Sequence, residues 1–114
     1  MAYDERLASR VDSILAEHGD VDERVMFGGI AFMVDAHMCC GVSGEDLMLR
    51  LGPDRAEEAL QEPHVRPMDL TGRPMKGYVY VAPPRVETEE SLRRWVLLAR
   101  EFVLELPPKR RKAR

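Results

Sequence analysis

Apolar residues recur at helical intervals near both ends of the chain and at strand-like intervals between them. Tyr3, Leu7, Val11, Ile14 and Leu15 share one side of a helical repeat, with Asp4 and Glu5 in the first turn and Gly19 beyond. Acids suit the positive end of a helix and glycine its left-handed cap, so the spacing predicts a helix over about residues 4–18. From Val25 the pattern shortens. Val25–Phe27 is an apolar run closed by Gly28-Gly29, Ile30–Val34 is apolar throughout, and Asp35-Ala36 offers a turn into His37–Val42. Ser43-Gly44-Glu45 makes the next turn, and Leu47–Leu51 alternates, with Leu47, Leu49 and Leu51 on one side. Strands joined by such short turns form an antiparallel meander.

Pro53 is tolerated at a first helical position, and Ala56, Ala59 and Leu60 continue with helical spacing until Pro63. Residues 66–77, RPMDLTGRPMKG, read as an extended, irregular connection. Tyr78–Val81 is a further strand, for which Val65–Met68 is a potential partner. The last helix is capped by Thr88, favoured by Glu89 and Glu90, and stopped by Pro107-Pro108. Leu92, Trp95, Val96, Ala99, Phe102, Val103 and Leu106 make its wide apolar stripe. The order α-β-β-β-α-β-β-α predicts a two-layer α+β domain over residues 1–106, an antiparallel sheet of about five strands with helices on one face.

Composition changes this picture little. The chain has 114 residues, 45% hydrophobic and 32% charged, which suits one ordinary globular domain. No apolar run approaches the roughly 20 residues of a membrane span, and the N-terminus lacks a signal pattern, so a cytoplasmic location is expected. Charge matters more. Lys109, Arg110, Arg111, Lys112 and Arg114 leave 12 basic against 20 acidic residues elsewhere, a body of −8. Residues 107–114 are therefore expected to be a disordered basic tail that attracts nucleic acid weakly, while the body repels it.

Met26-Phe27-Gly28-Gly29, Leu49-Arg50-Leu51-Gly52, Arg66-Pro67-Met68 and Met75-Lys76-Gly77-Tyr78, in that order and spacing, resemble the TfoX N-terminal domain family over nearly the whole chain. The resemblance implies an antiparallel sheet with helices on one side, similar to the secretion-chaperone-like architecture. Members that add a second, C-terminal helical domain regulate natural competence genes together with the cyclic-AMP receptor protein; the present chain ends after the first domain. What the resemblance implies is thus a regulatory, protein-interacting module, and it brings no catalytic residue with it.

Candidate chemistry is sparse. Gly28-Gly29 precedes a strand rather than the helix that a phosphate-binding turn needs, so a bulge or close backbone contact is expected. In a regular strand His37 and Cys39 share one face and Met38 and Cys40 the other, which supplies two ligand types where structural zinc wants four. The same alternation sets Cys39 and Cys40 apart, as reduced thiols. Neither a metal, a cofactor nor a catalytic residue is expected. Seven methionines, spread over strands and loops, read as core and turn filler. Arg66, Arg73 and Lys76 make the 66–77 connection the candidate surface for an anion, a small ligand or an acidic partner. Leu97 and Leu104, seven apart on the far side of the last helix, are the candidate face of a homodimer; pairing through a sheet edge is the second route.

The tail yields the first prediction. Five cations release counterions but come without a base-reading helix, so duplex DNA should bind weakly and lose affinity steeply with salt. Tight, sequence-selective binding near physiological salt that survives deletion of residues 109–114 would contradict this.

Overall fold

The computed structural model describes residues 3–26, 28–69 and 74–107. It opens with helix α1, Glu5–Ala16, whose N-cap Asp4 accepts hydrogen bonds from the backbone of Arg6 and Leu7. Strands β1 (Asp22–Met26), β2 (Gly29–Val34), β3 (His37–Ser43) and β4 (Asp46–Arg50) follow as a meander. Helix α2 (Pro53–Ala59), strands β5 (Val65–Asp69) and β6 (Pro74–Val81), a 3-10 turn at Pro83–Arg85 and helix α3 (Glu89–Leu104) complete the chain. All pairings are antiparallel, in the order β1-β2-β3-β4-β6-β5. The α+β class, the open antiparallel sheet and the order of elements are as expected, with one strand more. The added strand is β1, whose Asp22, Glu23 and Arg24 conceal it in the sequence because an edge strand tolerates charge.

Residues 66–69 and 74–77 are strand rather than irregular connection. Val65–Asp69 and Pro74–Val81 form a hairpin, and residues 70–73 lie outside the described residues. Its prolines misled because Pro67 sits on the edge strand β5 and Pro74 is the first residue of β6, two places where a missing N–H does little harm.

One side of the sheet holds the core. Ile30, Phe32, Val34, Val42, Leu47, Leu49, Val79 and Val81 cluster with apolar residues of all three helices. From α3 come Leu92, Trp95, Val96, Ala99 and Val103, and from α1 Leu7, Val11, Ile14 and Leu15. Trp95 is the largest fully buried side chain, and the aromatic surface it removes from water makes it a main contributor to stability. No helix among the described residues is long and apolar enough to cross a membrane.

Two of the resemblance motifs, Leu49–Gly52 and Met75–Tyr78, meet at one corner of this layer. Leu51 and Gly52 donate backbone hydrogen bonds of 2.8 and 3.1 Å to the Gly77 carbonyl. Gly52 has φ +86 and lies under the Phe102 ring, which leaves no room for a Cβ. A Cβ on Gly77, at φ +90, would touch the Gly52 backbone at 3.3 Å. Both glycines answer a positive φ and a close approach together. Gly52→Ala should therefore destabilise the fold by roughly 2–4 kcal/mol in urea melts. Its cost should be smaller in a Phe102→Ala background, where the ring is gone and only backbone strain remains. Equal costs in both backgrounds would show that the ring is irrelevant.

Candidate functional site

Two of the three expected cations, Arg66 and Lys76, lie on the β5–β6 hairpin. Arg66 lies on β5, where its Nη2 donates to Asp46 Oδ2 at 2.6 Å and its guanidinium sits 4.8 Å over the Tyr80 ring. The Asp46 hydrogen bond holds its proton more firmly than usual, although burial opposes this. Lys76 is exposed on β6, and Arg73 falls outside the described residues. Arg66 is thus engaged with a carboxylate and an aromatic ring of its own sheet.

The expected alternation at Cys39 and Cys40 fails, for a definite reason. Phe32 pairs with Cys40 and Met33 with Met38, so Cys39 is an extra residue in a β-bulge. Both cysteines enter the core and are fully buried, close enough for their thiols to hydrogen-bond. His37 does not join them as a ligand pair. It is nearly buried, and its Nε2 lies 2.9 Å from the Pro107 carbonyl, which ties the end of α3 to the start of β3. Among the described residues no three His, Cys, Asp or Glu side chains come together as a metal site would need.

The candidate dimer leucines both lie on α3 and differ in exposure. Leu97 is half-buried and packs against the core, while Leu104 is 46% exposed. The tail residues Lys109, Arg110, Arg111, Lys112 and Arg114 lie outside the described residues. A shallow cavity of about 440 Å³ beside the start of α1 mixes Arg6 and Arg10 with Glu45, Glu87 and Glu89. Arg10 already reaches the Glu87 carbonyl and the Glu89 carboxylate, at 3.4 and 4.0 Å.

The surface that sequence reasoning missed is the other face of the sheet. Directly opposed residues in an antiparallel ladder share a face. Register therefore strings Arg24, Ala31, Gly41, Met48, Tyr80 and Arg66 across all six strands. Beside this row Met33 opposes Met38 and Arg50 opposes Tyr78. None of these residues joins the core cluster, and α3 reaches Arg50 at the end of the sheet through Phe102. Ala31 and Gly41 are small and buried; a Cβ on Gly41 would collide with the Met48 methyl, which lies above it. Met33, Met38, Tyr78 and Tyr80 are half-buried. Arg50 sits at the end of the sheet, 5.7 Å from the Tyr78 ring and 6.0 Å from that of Phe102. Burial pushes the Tyr80 hydroxyl up from its ordinary range, against the pull of Arg66. The alternating Met and Tyr positions were visible in the sequence, but only the register makes them neighbours.

The buried thiols carry a pH dependence. The adjacent Cys39 thiol and burial together push the Cys40 thiol well above its ordinary value. The unfolded chain then releases that proton first, so the stability it contributes is full below the ordinary thiol range, about 8.5, and is lost as pH rises toward the folded value. Wild-type denaturant midpoints should fall more between about pH 8 and 10 than those of Cys40→Val. Parallel curves would show that Cys40 is not the cause.

A family model described as the TfoX N-terminal domain matches residues 13–103. No curated protein and no solved structure matches the chain.

Proposed function

The chain belongs to the TfoX N-terminal domain family, and on that premise we propose that it is a non-enzymatic, cytoplasmic protein-interaction module, a regulatory adaptor related to the competence regulators. The observation that carries this reading is the uncovered sheet face, where methionine, tyrosine and arginine adjoin in one surface. Those residue types are enriched in protein interfaces, while lysine and glutamate are depleted. Methionine contributes by filling irregular contours, and tyrosine and arginine by anchoring. Signature glycines at Gly52 and Gly77 support the same reading, because their task is to close the fold rather than to cradle a ligand.

A photo-crosslinking residue tests this in cells. Placed at Tyr80 it should yield a discrete adduct with a protein, and placed at the exposed Glu57 of α2 it should not. Adducts at Glu57 alone, or none at Tyr80, would contradict the reading.

A further inference from the structure

We propose that the open sheet face receives an acidic amphipathic helix from a partner protein, an inference that rests on the interaction reading above. The first argument is the backbone. Strands β2, β3, β4 and β6 are paired on both sides, so their main-chain donors and acceptors are spent within the sheet. An occupant of the face gains no strand pairing and must arrive with its own backbone satisfied, as a helix does. On the opposite face this chain meets the same requirement with α1 and α3.

Dimensions agree. Six strands about 4.8 Å apart separate Arg24 on one edge from Arg66 on the other by roughly 24 Å. A helix about 10 Å across, laid over β2, β3 and β4, leaves Arg24 on one flank and Tyr80 on the other. Beneath it lie Met33, Met38 and Met48, side chains that adapt to a neighbour's shape.

Charge fixes the partner's chemistry. Among the described residues, Arg24 and Arg50 have no carboxylate within ion-pair distance, whereas Arg66 is matched by Asp46. Among the described residues Asp22 and Asp69, on the same face, likewise have no cation within that distance, and Lys76 there has no carboxylate, so the unmatched groups still leave a positive excess. Two unmatched guanidiniums at the flank and end of an apolar strip favour glutamates or aspartates along the helix edges. A second copy of this chain is the poorer occupant. Its apolar helix stripes are already buried in its own core, and a symmetric sheet-to-sheet contact brings the same arginines together.

The test uses the full chain and two synthetic helices of about 18 residues with leucine at i, i+3, i+4 and i+7, one otherwise glutamate-rich and the other lysine-rich. Backbone amide NMR should show the glutamate peptide shifting residues of β2, β3, β4 and β6, and binding at least about tenfold tighter than the lysine peptide. Arg24→Glu with Arg50→Glu should reverse that order. Arg24 is exposed on an edge strand, so Arg24→Glu alone serves if the double variant unfolds. Equal binding of both peptides at this face overturns the acidic chemistry and leaves the interaction reading standing. Binding of neither, or shifts confined to the helical side, overturns the helix site, while crosslinking at Tyr80 separately decides the parent reading. A concentration-dependent dimer through this face, or salt-sensitive binding of single-stranded oligothymidylate to it in place of the peptide, replaces the helix with a second copy or a nucleic acid.

Discussion

Everything in this fold depends on burying the apolar stripe of α3 against one face of an antiparallel sheet. Trp95, Leu92, Val96, Ala99 and Val103 meet Phe32, Val42, Leu47 and Leu49 there, and α1 fills the remaining width with Val11, Ile14 and Leu15. Neither layer is stable alone, because a sheet face and a helix stripe each need the other to leave water. The packing also has a side. Three helices are spent on one face, so the second face meets the solvent with whatever its alternate residues supply.

Local devices hold that layer closed. The Gly77 carbonyl receives both the Leu51 and the Gly52 amides, and Phe102 lies on the Gly52 backbone, which binds the exit of β4, the middle of β6 and the last turns of α3 into one corner. Just beyond α3, His37 bonds to the Pro107 carbonyl and fixes where the helix leaves the domain. Ion pairs such as Arg93 with Glu17 and Arg55 with Glu105 join helices across the surface, but their exposure limits each to a small contribution. The resemblance motifs therefore report architecture first. The surface that could carry function takes Arg50, Tyr78 and Arg66 from these motifs and Met33, Met38, Met48 and Tyr80 from between them.

Much of the fold was legible because periodicity and caps agree locally. Thr88 caps the helix it was expected to cap, Asp4 caps α1 where it was expected within the first turn, and the meander turns fall where glycine and aspartate place them. What escaped was non-local. Whether Pro67 breaks a strand depends on whether that strand is an edge, which only strand order decides. Cys39 and Cys40 share a face because β2 and β3 slip by one residue, and no feature of either strand alone announces that bulge. Leu97 looked exposed on a helical wheel, yet it packs against the core beside a small sheet. The open face was hidden for the same reason: Met33, Met38, Met48 and Tyr80 come from four strands, and their adjacency exists only in the register.

The central claim is that this face is an interaction surface rather than bare solvent-facing sheet. Hydroxyl-radical labelling of the full chain, compared between purified protein and intact cells, tests it most directly. Half-buried Met33 and Met38 should oxidise readily in the purified protein and be protected in cells, while Leu104 on α3 is labelled equally in both. Equal oxidation of the two methionines in both settings, with Leu104 protected instead, would move the contact to the helical side and contradict the account.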